Sequence, residues 1–240
     1  MNSLADLSQS EEPLVEIDPS VKYLRNVEFI PTKSTWPVSR STRVAKRTLD
    51  IVASVAALIV LSPVFLAITL LIRWKTPGNA IFAQQRCGRH GQPFTCYKFR
   101  TMVPNAHWML EHDEKLRNTY LQSWKLVEDP RVTPLGHFLR KTSLDELPQF
   151  WNVLKGDMSL VGPRPVLEKE MHQCYGDQAH VVTSVRPGMT GLWQVSGRSS
   201  LPYEERVKLD VHYVRGLTFW ADIAIILRTI PALLGSEDAH

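Results

Sequence analysis

The longest uninterrupted apolar stretch in the chain runs from Ile51 to Ile72, 22 residues without a charged side chain. As a helix rising about 1.5 Å per residue it would reach roughly 33 Å, enough to cross a bilayer core. Ser62-Pro63 interrupts it near the middle. Proline lacks the N–H owed to the carbonyl four residues back and bends the axis, and a neighbouring hydroxyl can satisfy that carbonyl. Arg43, Lys46 and Arg47 precede the stretch, and Arg73 and Lys75 follow it. Basic flanks favour the cytoplasmic side, here at both ends. Two readings stay open: a kinked transmembrane span, or a re-entrant helix-break-helix that enters one leaflet and returns, with Ser62 and Pro63 at its bend.

Beyond this stretch the periodicity changes. Ile81 to Met102 alternates, which predicts two strands, IFAQQRC and PFTCYKFRT, joined by Gly88-Arg89-His90-Gly91. On the second, Lys98 and Arg100 share a face by the two-residue repeat. Pro104 to Asp129 reads as helical, with Trp108, Tyr120 and Trp124 along it. Val166 to Tyr175 reads as a polar helix and Tyr203 to Tyr213 as a charged one. Leu217 to Leu234 is apolar but broken by Asp222 and Arg228, which suits a helix lying at an interface. Met1 to about Pro37 is poor in hydrophobic residues and reads as a disordered arm. The fold class expected is α+β, mostly helical with one small β-hairpin. The organisation expected is an arm over residues 1–40, a membrane helix over 41–76, and a body over 77–240.

Composition adds three constraints. A hydrophobic fraction of 44% is ordinary for a soluble chain, so membrane character must be local. The net charge of +4 is uneven: residues 1–21 hold five acids and no lysine or arginine, leaving the remainder a formal +9. A basic body suits anionic lipid or phosphorylated substrates. The basic residues are dispersed and no nucleic-acid-binding motif is present, so nucleic acid is not an expected partner. Three cysteines without a C-x-x-C pair suit a reducing compartment, and the eight histidines show no zinc spacing.

The densest chemistry lies between Leu139 and Pro165, LRKTSLDELPQFWNVLKGDMSLVGPRP. Asp145 and Glu146 are adjacent, Asp157 follows Gly156, and Arg140, Lys141, Lys155 and Arg164 are interspersed. Carboxylates among arginines suit a phosphate whose charge is shared between a metal cation and guanidinium forks. Ser143-Leu144-Asp145-Glu146 also fits a helix capping box, or a helix can begin at Asp145 with Pro148 in its first turn. Either places both acids at a positive helix end, which favours an ionised, nucleophilic Asp145. Pro163 and Pro165 stiffen the backbone around Arg164, so that it loses little freedom on clamping an anion. Asp157 either caps a turn or orients one of these cations. Near the C-terminus, Arg186-Pro187-Gly188 and Gly191 form a turn-rich segment presenting Trp193, Gln194 and Arg198. It either closes over a nucleotide, with Trp193 stacking and Arg198 on phosphate, or is a packed structural loop.

The central stretch resembles the signature of bacterial sugar transferases, the monotopic polyprenyl-phosphate phosphoglycosyl transferases. The resemblance extends to KRTLD (Lys46–Asp50), LSP (Leu61–Pro63), YKFRTM (Tyr97–Met102) and RPGMTGLWQVSGR (Arg186–Arg198), and covers roughly Arg43 to Gly235. The chain is similar to the family's short forms. The resemblance implies the re-entrant form of the membrane segment and a catalytic body on the cytoplasmic face of the bacterial inner membrane. It implies transfer of a sugar-1-phosphate, of galactose or glucose, from a UDP-sugar to undecaprenyl phosphate, with UMP released and exopolysaccharide assembly begun. Asp145 would be the nucleophile of a covalent step, Glu146 would join it in holding Mg2+ or would handle a proton, and Lys98 would belong to the active site. Arg140, Arg164, Asp157, Arg198 and Asp210 would serve the substrate, and a homodimer would be in keeping with relatives. The competing expectation is an inactive membrane adaptor, which would tolerate substitution at Asp145, Glu146 and Arg164.

Overall fold

The computed structural model describes residues 39–123, 126, 128–197 and 200–234. The N-terminal arm lies outside the described residues except for Ser39 and Arg40, and so do Trp124 and Arg198. Helix α1 (Arg40–Val60) opens with Ser39, whose side chain accepts the Thr42 N–H. It meets α2 (Ser62–Lys75) at a 60° bend. Pro63 has no N–H to offer Ile59, and the Ser62 hydroxyl donates to that carbonyl instead at 2.8 Å. The bend therefore leaves this acceptor satisfied. Among the described residues no single helix is long and apolar enough to cross a membrane, and α1 and α2 qualify only as a bent pair. Their outer faces are apolar: Val52, Ile59, Val60, Leu66, Leu70 and Trp74 are each more than half exposed.

Strands β1 (Ile81–Cys87) and β2 (Pro93–Phe99) pair antiparallel, with Ile81 opposite Phe99 and Cys87 opposite Pro93. The predicted second strand is two residues shorter. Arg100 turns away, its guanidinium donating to the Thr76 and Pro77 carbonyls at 3.0 and 2.8 Å, and so fastens the end of α2. Next come α3 (Ala106–His112) and α4 (Glu114–Ser123), then α5 (Pro134–Lys141), capped by the Thr133 hydroxyl on the Gly136 N–H. Gly136 lies against the Thr101 carbonyl, where a Cβ would collide with backbone. A single 3-10 turn, Leu144–Glu146, leads into α6 (Gln149–Lys155), which Gly156 ends in the left-handed conformation at φ 95°.

Strand β3 (Ser159–Val161) follows. Helix α7 (Glu168–Glu170) then runs into a π-helical turn, Met171–Tyr175, and α8 is Ala179–Val182. Strand β4 (Gly188–Thr190) precedes α9 (Leu192–Ser196), α10 (Tyr203–Arg215) and α11 (Phe219–Leu234). The fold is thus α+β, mostly helical, but with two small sheets among the described residues where one was expected. The second is a parallel pair, β3 with β4, in which Ser159 lies opposite Gly188 and Val161 opposite Thr190. Three residues per strand are too few to show alternation. It is the glycines that permit the pairing: a Cβ on Gly162 or Gly188 would strike the facing backbone.

The main core, including Val153, Met158, Val161, Val214 and Ile225, gathers α6, β3, α10 and α11 beside α1. Three polar residues on α1 fasten it to that core. Asp50, 2% exposed, accepts the Leu160 N–H at 2.8 Å and the Ser159 hydroxyl at 3.0 Å. Arg47 donates to the Val153 and Leu154 carbonyls at 2.7 and 2.8 Å, closing the C-terminal end of α6. Lys46 donates to the Val161 carbonyl and pairs with Asp222 of α11, which also accepts the Tyr213 hydroxyl. Residues 46, 47 and 50 fall on one side of a helix. This face of α1 therefore holds residues 153–161, the later part of the segment that carries the chemistry.

Candidate active site

The acid pair sits at the floor of a cleft of about 1350 Å³ that also exposes Lys98, Arg140 and Arg164. Its local geometry differs from both helical expectations. The Ser143 side chain makes no cap hydrogen bond to the turn it precedes, and its backbone is left-handed at φ 55°. That is uncommon for a side-chain-bearing residue and is a form of strain found at functional sites. Pro148 itself takes the N-cap position of α6, so the helix starts at Gln149 and the acids occupy the 3-10 turn ahead of it.

The two carboxyls have opposite characters. Asp145 is 7% exposed, and among the described residues its carboxylate makes neither a hydrogen bond nor an ion pair. Burial, with the Glu146 charge adding to it and Lys98 and Arg140 opposing, raises it to about 6. This corrects the helix-end expectation, since the environment opposes ionisation rather than favouring it. Burial pushes Glu146 up as well, but Lys98 and Arg164 outweigh it and hold this carboxyl at about 2. Lys98 Nζ lies 2.6 Å from Glu146 Oε1, and Arg164 approaches the same oxygen at 3.9 Å. The pair is therefore one fixed anion beside one that burial has left unpaired.

Local structure delivers each group. Asn152 of α6, fully buried, accepts the Tyr97 N–H and donates to the Thr95 carbonyl. This clips α6 to β2 and brings Glu146 within reach of Lys98. Arg140 in the last turn of α5 donates to the Thr101 hydroxyl at 3.0 Å, and the close fit of Gly136 on Thr101 sets that approach. Arg164 follows the β3–β4 pairing, held by Gly162 N–H to Thr190 and Gly188 N–H to Pro163. Its guanidinium lies over the Trp193 ring at 5.9 Å.

Two residues expected to serve substrate do not line the cleft. Asp157 accepts from Asn152 and pairs with Lys155 at 2.9 Å, so it braces the corner after α6. Asp210 is fully buried and accepts the Tyr175 hydroxyl at 2.9 Å, while its other oxygen has no partner among the described residues. Burial raises its carboxyl well above the usual range. The folded state then holds a proton that the unfolded chain releases above its ordinary carboxylate value, so stability falls as pH climbs from there. Asp210→Asn should flatten that decline, read as melting temperature between about pH 5 and 8 in detergent.

Trp193 is 7% exposed and packs with Leu201 and Leu209, which answers for most of its surface as a packed ring with one edge on the cleft. Sequence reasoning missed Arg86, Glu170, Tyr203 and Arg206, all of which line the cleft. Arg86 was recoverable, because the β1–β2 register puts it on the same hairpin face as Lys98.

The bacterial sugar transferase profile matches residues 41–236. The chain belongs to this family. The sugar transferase is 44% identical over 232 residues to the undecaprenyl-phosphate galactose phosphotransferase of Salmonella typhimurium, covering 95% of this chain and 48% of that protein. It is 42% identical over 216 residues to the exopolysaccharide production protein ExoY of Sinorhizobium fredii, covering 88% and 95% respectively. It is 38% identical over 214 residues to the UDP-glucose:undecaprenyl-phosphate glucose-1-phosphate transferase of Escherichia coli, covering 86% and 44%. The sugar transferase spans about half the length of the first-named and last-named of these relatives.

Proposed function

We propose that the protein transfers a sugar-1-phosphate, of galactose or glucose, from a UDP-sugar to undecaprenyl phosphate at the cytoplasmic face of a bacterial inner membrane, opening exopolysaccharide assembly. The observation that carries this reading is the contrast between the two acids. Asp145 is buried and has no hydrogen-bond or ion-pair partner among the described residues, while its neighbour Glu146 is locked to Lys98. Asp145 attacks the phosphorus that bears the sugar; an aspartyl P–O bond forms, and the bond to the bridging oxygen breaks with its electron pair, releasing UMP. An oxygen of the acceptor phosphate then attacks the same phosphorus and restores the Asp145 carboxylate. Arg140 and Arg164 hold the phosphoryl oxygens, and Lys98 fixes Glu146 while adding positive charge where the transition state gains negative charge.

Among the described residues no group of three or more His, Cys, Asp or Glu side chains could cage a metal. Mg2+ requires no such cage, because one or two carboxylates suffice when phosphate oxygens and water complete its shell. Asp145 and Glu146 fit that donor set, and the uncompensated burial of Asp145 is what a nearby cation would relieve. Bound there, Mg2+ would neutralise the donor diphosphate.

The α1–α2 pair supports a re-entrant foot: its middle is bent by 60°, its outer face is apolar, and basic residues flank both ends. The exposed Trp220, Leu227 and Ile230 give α11 an apolar face suited to the same lipid surface. Single cysteines at positions 43 and 75 are expected to react from one side only with an impermeant maleimide in intact cells and inverted vesicles. Labelling from opposite sides would establish a crossing helix instead. A homodimer belongs to the same reading, tested by mass in detergent. The reaction itself is tested by UMP release across a panel of UDP-sugars with undecaprenyl phosphate. An inactive adaptor would release none.

A further inference from the structure

We infer that Glu170 is a positioning residue: held by the Tyr203 hydroxyl, it keeps Arg86 beside Arg164 against their mutual repulsion, so that both guanidinium groups face the cleft. This rests on the reaction proposed above and brings in residues that none of its steps names.

Arg86 ties two parts of the site together. Its guanidinium donates to Gln84 Oε1 at 2.7 Å and to the Pro165 carbonyl at 3.4 Å, and it lies 3.9 Å from Glu170 Oε2. The next residue repeats the tie, since the Cys87 N–H donates to the Val166 carbonyl at 2.9 Å. Strand β1 is thereby fastened to the backbone that follows Arg164. Arg164 in turn reaches Glu146 of the acid pair at 3.9 Å. A displaced Arg86 would therefore disturb, through Pro165, the group assigned to the phosphoryl oxygens.

The charges at this place need a mediator. Burial, and next the Arg164 charge, holds Arg86 below its ordinary range, and Glu170 is the foremost influence against them. At Arg164 burial is opposed first by Glu146 and next by Glu170. One carboxylate thus steadies two like charges, and all three side chains line the cleft.

Glu170 is itself held firmly. Helix α7 runs into the π-helical turn Met171–Tyr175, and a π turn carries one residue more than an α turn. Tyr175 is thereby brought toward the side from which Glu170 projects. Helix α10 answers from one face, with Tyr203 and Asp210 two turns apart. Tyr203 donates to Glu170 Oε1 at 2.6 Å, Tyr175 donates to Asp210 Oδ2 at 2.9 Å, and the two rings meet edge to face at 6.0 Å. The Leu167 N–H donates to Glu170 Oε2 at 3.3 Å. Burial raises both phenols well above their ordinary range, helped by the Asp210 charge at Tyr175 and the Glu170 charge at Tyr203, so each stays a donor. In the proposed reaction the departing oxygen leaves with its electron pair and the acceptor oxygen arrives as an anion, so no proton is owed here. The hydroxyls orient a carboxylate and carry no proton.

The test uses the full chain in detergent with Mg2+, in two double-variant cycles on Glu170→Gln and Arg86→Gln. In the melting cycle, run without substrate, Glu170→Gln should lower the melting temperature by about 3 °C. Arg86→Gln should then cost less in that background than in the wild type, because it removes one of two repelling charges. An equal cost in both backgrounds would overturn the pairing. In the kinetic cycle, Glu170→Gln should lower kcat/KM for UMP release about tenfold and Tyr203→Phe about threefold. Neither should lower it further once Arg86 is replaced by glutamine, and Glu170→Asp, which keeps the charge, should recover part of the loss. A full tenfold loss on top of Arg86→Gln would show a role that does not pass through Arg86. Unchanged kinetics in a variant that melts low would show a structural role alone. Either result would overturn the inference. Should Glu170→Gln not fold, Tyr203→Phe takes its place in both cycles. A wild-type protein that releases no UMP from any UDP-sugar would overturn the proposed reaction, and the melting cycle would then decide the pairing by itself.

Discussion

Asp145→Asn is expected to lower UMP release by about 10⁴-fold or more and to remove any sugar-phosphate adduct on the protein. The asparagine keeps the size and the buried position of the side chain but cannot open a P–O bond. The same substitution should not lower the melting temperature measured without divalent cation. In the folded protein the carboxylate is 7% exposed and unpaired among the described residues, so ionisation there opposes folding, and a neutral isostere removes that burden. The two readouts together separate chemistry from architecture. A variant that still releases UMP at the wild-type rate would end the covalent route, and one that lost activity only because it unfolded would show a falling melting temperature.

Lys98→Met should carry the next largest effect, a fall in kcat of about 10²- to 10³-fold. Methionine preserves the unbranched stem between the strands and removes the ammonium. Glu146 then loses its 2.6 Å partner and keeps Arg164 at 3.9 Å as its nearest cation. Its carboxyl should rise from about 2, and the repulsion between the two acids should shift with it. A substitution acting only on binding would raise KM and spare kcat. Lys98→Arg should restore little, because a planar fork cannot take the place of a point charge in so short a contact.

Much of this site was legible in the sequence because its groups are close along the chain. Asp145, Glu146, Arg140 and Arg164 lie within 27 residues, and the prolines around Arg164 announce a rigid presentation. Lys98 was named through resemblance, and the structure brings it to Glu146 across 48 positions. What could not be read was set by tertiary contact. Ser143-x-x-Glu146 looks like a capping box, yet Pro148 claims the N-cap and forces the acids into a tighter turn. The β3–β4 pairing depends on two glycine backbones meeting from segments about 26 residues apart, which no local periodicity records. Asp157 and Asp210 carry the right chemistry for a phosphate site, but their partners, Lys155 and Tyr175, turn them to other uses. The bend at Ser62-Pro63 was the reverse case, since a prolyl nitrogen and the hydroxyl that compensates it are neighbours.

The grip of Lys46, Arg47 and Asp50 on residues 153–161 has a consequence for anyone who would re-engineer this enzyme. The apolar helix α1 is part of the packing that sets the site. Grafting a foreign apolar helix in its place would cut the struts to residues 153–161, the stretch that leads to Arg164, so a transplant must carry those three side chains with it.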